Sequence, residues 1–322
     1  MQEARTVAAP RRTPTFARFA RQGVVCEGWY AVADSSALRM GDVRRAWIGA
    51  RDLVVYRERG GEVRCAERAC PHLGADLTQG EVGAKGLQCA FHGWCWGADG
   101  ACRAGGGVAE GRRLRVYETR ERWGLVWAWA GDRPAYDLPA PDRENAAHVL
   151  RLPEQHLACH PHLMLGNGLD TGHAGPVHRM RFEEPVVEID APHRVSARLT
   201  AHFRPTWLRR VLGLAGGCAR WRFTTIGPSF AWVTVESPTP FELVWAGRPL
   251  PDGGCAARTI FFLPRRRTLV RALPMMVATT WADRRVLEGL DFKPGFVPSD
   301  SVFAAYAELV EAMPVWSEEV TS

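Results

Sequence analysis

Cys70-Pro71-His72-Leu73-Gly74-Ala75-Asp76 and Cys89-Ala90-Phe91-His92-Gly93-Trp94 form the stretch on which the fold turns. A Cys-x-His pair precedes a Cys-x-x-His pair, with sixteen residues between His72 and Cys89. Each half offers one thiolate and one imidazole from a short loop. Two soft sulfurs and two borderline nitrogens suit tetrahedral zinc or an iron–sulfur cluster with mixed ligands. Cys2His2 zinc sites typically pair Cys with Cys and His with His, whereas each pair here is mixed. A mixed pair is what a [2Fe–2S] centre needs when one iron carries both sulfurs and the other both imidazoles, because each loop then reaches both irons. Pro71 fixes φ in the first loop, and Gly74 and Gly93 permit tight turns.

Around these loops, 322 residues leave room for two domains. Hydrophobic residues at 46% and charged residues at 24% are the mixture of a soluble globular protein with a substantial core. The net charge of +6 is modest and spread out, so nucleic acid is not implied and an acidic protein partner is permitted. Beyond Cys70 and Cys89 the chain has Cys26, Cys65, Cys95, Cys102, Cys159, Cys218 and Cys255 at irregular spacing. They read as reduced cytoplasmic thiols, not as a disulfide framework. No apolar run approaches the roughly 18–20 residues that cross a bilayer. The first 22 residues hold five arginines against Glu3 alone, without the apolar core of a secretion signal, and read as a disordered basic extension.

Short β-rich runs follow, among them 29–32, 46–49, 53–56, 63–66 and 125–130, separated by turn formers such as Gly60-Gly61. They predict a small β-sandwich or barrel over 23–132. The Pro-rich segment that follows reads as a linker, 133–147, leaving 148–322 as a second domain. There a helix is expected from about His156 to His178, then strands over 195–203, 221–226, 230–235, 241–245 and 259–263. A long helix is expected from Thr268 to Leu290, and a last one capped by Ser299 and running to Met313. Strands followed by a long helix imply an α+β domain with a curved antiparallel sheet wrapped on a helix.

A second chemical constellation opens that domain: Asn167-Gly168-Leu169-Asp170-Thr171-Gly172-His173-Ala174-Gly175-Pro176-Val177-His178. Asp170 and His173 are three apart and would share a helical face. His173 and His178 are five apart, which an ideal helix splays by about 140°. A break at Gly175-Pro176 would bring the two imidazoles back to one point. Two imidazoles and a carboxylate with open positions make the facial triad of non-haem Fe(II) oxygenases; two surface histidines beside a Pro turn are the bland alternative. The carboxylate is expected from the long C-terminal helix, with Asp283, Glu288 and Asp291 as candidates.

On these residues the chain resembles the catalytic α-subunit of the Rieske non-haem iron oxygenases. The cluster motif matches at Cys70, His72, Cys89 and His92, and the pattern Asn-x-x-Asp-x-x-His-x4-His matches at Asn167, Asp170, His173 and His178. The run Trp94-x-Trp96-Gly97-x-Asp99-Gly100-x-Cys102 resembles the steroid-active branch, the 3-ketosteroid 9α-hydroxylases and other sterol-modifying members. The resemblance implies an all-β [2Fe–2S] domain followed by a helix-grip (START-like) catalytic domain. It implies iron held by His173, His178 and Asp283, the acid that opens Asp283-Arg284-Arg285-Val286. It also implies a homotrimer in which Asp170 bridges the cluster of one subunit to the iron of the next, with Asn167 beside it, and electrons from NAD(P)H through a flavin reductase or ferredoxin.

The expected reaction is O2-dependent monooxygenation of a hydrophobic, polycyclic or aromatic substrate, with cis-dihydroxylation or oxidative demethylation as alternatives on the same machinery. Phe230, Trp232, Met276 and Trp281 are candidate pocket residues, though each also suits an ordinary core. A Rieske electron carrier without chemistry of its own and a zinc-stabilised binding protein are the readings from other classes. His148, His156, His160, His162, His193 and His202 carry no assignment, and their default is structural.

Overall fold

The computed structural model describes residues 16–103, 111–139, 148–203 and 217–316. The chain divides into two compact units: Glu27–Asp137 with Arg248–Asp252 and the segment from Trp316, and a second built from the segment ending at Cys26 with Leu138–Gly247 and Gly253–Val315.

The first unit is all-β, as expected. Strands β1 (Gly28–Asp34), β9 (Thr119–Arg122) and β10 (Leu125–Ala130) form one antiparallel sheet in the order β1-β10-β9. Strands β2 (Val43–Ile48), β3 (Arg51–Arg57), β4 (Val63–Glu67) and β8 (Val116–Tyr117) form a second in that order. A third small sheet, β5 (Glu81–Gly83), β6 (Gly86–Gln88) and β7 (Cys95–Trp96), lies beside the cluster motif in sequence. The runs Leu125–Ala130 and Leu53–Tyr56 are buried at every residue, which is why they read as unbroken apolar stretches instead of alternating ones. Arg248 belongs here because its Nε–H donates to the Ala31 carbonyl at 2.8 Å and its Nη1 to the Trp47 carbonyl at 2.6 Å.

The second unit carries a curved antiparallel sheet, the helix-grip architecture implied by the resemblance. Its strands are β11 (His148–Arg151), β12 (Gln155–Leu157), β13 (Met180–Phe182), β14 (Val186–Ala191), β15 (Arg194–Phe203), β16 (Cys218–Ile226), β17 (Phe230–Ser237), β18 (Phe241–Pro249) and β19 (Cys255–Leu263). The order is β11-β19-β18-β17-β16-β15-β13, with β12 paired to β19 and β14 to β15. Alternate residues of the central strands, such as Ala197, Phe223, Val233, Leu243 and Phe261, share one core. That core also takes Val302, Ala305, Tyr306, Leu309 and Val310, the buried face of helix α4 (Ser301–Ala312). Their 3–4 spacing is the stripe of a core-facing helix.

Several sequence expectations change. The single helix expected over 156–178 is instead strand β12, helix α1 (Pro161–Asn167) and the short helix α2 (Ala174–His178). Pro161 is well placed to start α1, where its missing N–H has no partner to lose; Gly166 and Gly168 then let α1 end against bulky rings. A Cβ on Gly166 would stand 2.3 Å from Phe303, and one on Gly168 2.1 Å from Phe223. Ser299 does not cap the last helix: it lies in a 3-10 turn, Pro298–Asp300, and Asp300 is the residue before α4. Residues 16–22, read as part of a disordered extension, are packed. Glu311 accepts backbone N–H bonds from Ala17, Arg18 and Phe19 at 3.1, 2.6 and 2.6 Å, and Phe19 is buried in the core. The rest of that extension, 1–15, and positions 140–147 of the expected linker lie outside the described residues.

Helix α3 (Thr268–Leu287) ends three residues short of the expected Leu290, so Glu288 and Asp291 fall beyond its last turn. Among the described residues, no helix is long and apolar enough to cross a membrane.

Candidate metal centres

The two cluster-motif loops are the same turn made twice. In the first, Cys70 N–H donates to the Ala75 carbonyl at 2.9 Å and Gly74 N–H to the Cys70 carbonyl at 2.8 Å. In the second, Cys89 N–H donates to the Trp94 carbonyl at 2.8 Å and Gly93 N–H to the Cys89 carbonyl at 3.0 Å. Both turns close through a left-handed residue, Gly74 at φ +76° and Gly93 at φ +70°, which is why glycine stands there. Cys70 and Cys89 are buried, whereas His72 is half-buried and His92 exposed. Their rings lie with centroids 4.6 Å apart. Sulfurs inside and imidazoles outside is the order that a cluster with one Cys-held and one His-held iron requires.

Neighbouring groups hold these loops. Trp94 stacks on His72 with centroids 4.1 Å apart and planes within 5°. Arg112 Nη1 donates to the carbonyls of Pro71 and His72 at 2.7 and 2.8 Å. Asp76 accepts from Thr78 N–H at 2.9 Å and pairs with Arg68 at 3.1 Å. Burial raises the Cys70 thiol pKa, opposed by the His72 backbone N–H and the Trp96 indole. Desolvation, the neighbouring imidazole and the Arg112 charge lower that of His72. Arg112 was missed from sequence: it stands 40 residues from His72, and nothing in its local pattern marks it.

In the second unit, His173, His178 and Asp283 converge, with one potential ligand atom from each lying within 4.8 Å of the others. Asp283 Oδ1 is 2.7 Å from His178 Nε2 and 3.5 Å from His173 Nε2. The convergence depends on the break in the expected helix. His173 is the N-cap of α2, His178 its last residue, and Arg179 turns the chain away at φ +55°. Asp170 and His173 do not share a helical face as the spacing implied. They belong to a turn in which Asp170 Oδ1 accepts from Gly172 N–H at 2.9 Å, while Oδ2 lies 3.4 Å from His173 Nδ1.

The electrostatics of this site call for a cation. Burial pushes the Asp283 carboxyl up, but the two imidazoles outweigh it and hold its pKa below the usual range. Burial likewise works against a charged His173, yet Asp170 and Asp283 outweigh it and raise the imidazole to about 9. Asp283 Oδ1 and His173 Nδ1 are buried atoms at ion-pair distance from partners that are misaligned for hydrogen bonds. Two imidazoles, a carboxylate and ill-directed buried donor atoms fit a divalent metal better than a proton network.

Of the other carboxylates considered, Glu288 accepts from Arg284 Nε at 2.9 Å and Ala158 N–H at 3.4 Å. Asp291 is solvent-exposed beside Lys293. Asn167 ends α1, and its carbonyl accepts from Asp170 N–H at 3.2 Å. Two of the pocket candidates pack within the sheet and a third faces outward from the helix. Trp232 alternates with the core-facing Ala231 and Val233, so it projects from the opposite sheet face, where it stacks on Phe262 at 5.6 Å; Phe230 lies beside it at 6.0 Å. Trp281 is 62% exposed under the Arg285 guanidinium, two residues and about 200° around the helix from Asp283. The Met276 side chain lies outside the described residues. His160 and His162 keep their structural reading, for both are buried: His160 Nδ1 accepts from His162 N–H at 3.2 Å and His162 Nδ1 from Ala20 N–H at 3.1 Å.

Comparison with known proteins agrees with this layout. The Rieske [2Fe–2S] domain family matches residues 28–118. The 5,5'-dehydrodivanillate O-demethylase oxygenase subunit of Sphingobium is 33% identical over 34% of this chain and 28% of its own. The 3-ketosteroid-9-alpha-monooxygenase oxygenase component of Rhodococcus rhodochrous is 30% identical over 42% of this chain and 35% of its own. The matches therefore span about a third of the length of these curated relatives. The crystal structure of dicamba monooxygenase bound to dicamba superposes with a TM-score of 0.65 at 21% identity, covering 88% of this chain and 96% of that one. Residues 28–118 are thus a Rieske [2Fe–2S] domain, in a chain that has the fold of dicamba monooxygenase and whose sequence relatives include oxygenase components.

Proposed function

We propose that the chain is a Rieske-type oxygenase that uses O2 and electrons delivered by a partner to hydroxylate a hydrophobic, polycyclic or aromatic substrate. The observation that carries this reading is the convergence of His173, His178 and Asp283 in a chain that also holds the paired Cys–His loops. An electron carrier would need only the loops.

Cys70, Cys89, His72 and His92 would hold the [2Fe–2S] cluster, and His173, His178 and Asp283 the Fe(II). When bound, the cluster would supply one-electron transfer and the iron the chemistry of O2 activation. The chain's residues orient these groups. Asp170 Oδ2, 3.4 Å from His173 Nδ1, would take that N–H once a metal orients the ring, leaving Nε2 for the metal. Trp94 and Arg112 hold His72 in place from its ring and from its backbone.

The partners in this reading are a flavin reductase or ferredoxin drawing on NAD(P)H in the cytoplasm, and further copies of the chain. In a head-to-tail homotrimer Asp170 would accept from His72 or His92 of a neighbour as well as from its own His173. Oxidative demethylation is the second reading, favoured by the likeness to an O-demethylase oxygenase subunit.

The test is metal and turnover together. The purified protein should hold about three irons per chain, two with labile sulfide and one lost to a mild chelator. With a surrogate reductase and NADH, a panel of hydrophobic ring compounds should include one that drives O2 uptake and leaves as a product heavier by one oxygen. A colourless protein that retains zinc would overturn the assignment.

A further inference from the structure

We propose that the outward face of α3 docks on an anionic lipid surface, with Val270, Val277 and Trp281 in the bilayer interface and the arginines at the helix ends on lipid phosphates. The three apolar residues are 73%, 54% and 62% exposed. Spaced by seven and four residues, they stand within about 40° of one another around the helix. The stripe they form is about 16 Å long. Single exposed apolar side chains are ordinary, but a row of them on one helix face marks a contact surface. The other side of α3 is occupied. Thr268 and Leu287 are buried, and Asp283 faces the two histidines. Covering the stripe therefore leaves the metal site untouched.

Charge says what covers it. Residues 265–285 hold six arginines against Asp283 alone, a net +5 in a chain whose total is +6. Arg265, Arg266 and Arg267 are exposed where the helix begins. Arg285 is exposed near its other end, with its guanidinium 5.1 Å from the centre of the Trp281 ring. An apolar stripe bounded by cations is the pattern of a helix lying in the plane of a membrane. Arginine reaches from an apolar stem to a phosphate, and tryptophan, apolar in body with one polar N–H, favours the interface.

The other occupants fit less well. A second copy laid face to face, in either direction, would set one group of arginines against another. An acidic protein would answer the arginines but would also need an apolar groove for the stripe, whereas a bilayer supplies both along a straight helix. The contact is peripheral, since among the described residues no helix is long and apolar enough to cross. Hydrophobic ring compounds collect in such a surface, so docking would hold the chain beside the substrate class proposed above without depending on that reading.

The test is flotation of the purified full chain with vesicles of phosphatidylcholine, alone or mixed about 3:1 with phosphatidylglycerol. Binding is expected to the anionic vesicles only, and to weaken with salt. Replacing Arg265, Arg266 and Arg267 together by serine should weaken it about a hundredfold, near fivefold for each arginine at a charged surface. Trp281→Ser should weaken it too, whereas Met40→Ser, at a 71% exposed site in the other unit, should not. Acyl-chain bromination should quench the bound protein's fluorescence, and less so in Trp281→Phe, which keeps its apolar ring; this variant decides should the triple variant unfold. No binding to anionic vesicles, equal binding to both kinds, equal quenching in Trp281→Phe, or binding that survives in the folded triple variant and in Trp281→Ser overturns the proposal. Self-association that Trp281→Ser abolishes, in a chain that ignores vesicles, would also overturn it and give the stripe to a second copy. Flotation reads neither metal nor turnover, so its outcome is separate from that of the oxygenase reading.

Discussion

Asp283 shows what a single side chain settles at this site. Replacing it with Asn keeps the shape and removes the charge that two imidazoles stabilise. Asp283→Asn should therefore lose the chelatable iron while the visible absorbance of the cluster persists, as metal analysis and spectroscopy would show. Asp170→Asn should behave differently, because Asp170 touches His173 from the far side of the ring. It should retain both metals and lose most turnover; O2 uptake at the parent rate would refute its bridging role. The two Cys–His loops and the pair His173 and His178 were legible in the sequence because each is local, its members within five residues of one another. From the residues alone Asp283 was one of three acids, and only the resemblance singled it out, since the choice depends on where α3 ends. Trp232 packs on Phe262, the ordinary core role that its sequence also allowed.

At the scale of elements, the site depends on how α1 stops. Gly168 lies against the ring of Phe223, and the turn that follows it presents Asp170 and His173. Gly168→Ala should cost about 1–3 kcal/mol through overpacking, and should lower iron affinity more than cluster content. A urea titration with iron analysis on the same samples separates the two. The helix expected over 156–178 failed for the same reason. Gly166, Gly168, Gly172 and Gly175 interrupt an apolar pattern that periodicity alone reads as continuous. The β-rich first unit was far more legible, because its strands are short, apolar and separated by clear turn formers. In the second unit β11, β13 and β14 escaped notice, for each is short.

For the whole molecule, stability should fall in mild acid. Burial holds the folded-state His160 pKa down at about 4 and that of His162 well below its ordinary value, whereas an unfolded chain protonates both near 6.5. Their contribution is complete above pH 6.5 and is lost as pH falls through that window. Unfolding free energies from denaturant titrations at pH 7.5 and 5 should differ by about 2 kcal/mol from His160 alone, and His160→Gln should shrink the difference. If electrons cross between subunits, co-expressing Cys70→Ser with Asp283→Asn chains should restore part of the activity that each lacks, and purely intrachain transfer would leave the mixture dead.

The strap at Phe16–Val25 carries a practical warning. Its leading arginines invite a molecular biologist to trim the gene at residue 22, where composition changes. Three main-chain amides ending on the Glu311 carboxylate, with Phe19 stacked on His162, mean that such a cut would pull a stitch from the final helix. Shortened genes should begin upstream of Phe16, and an affinity tag belongs there too.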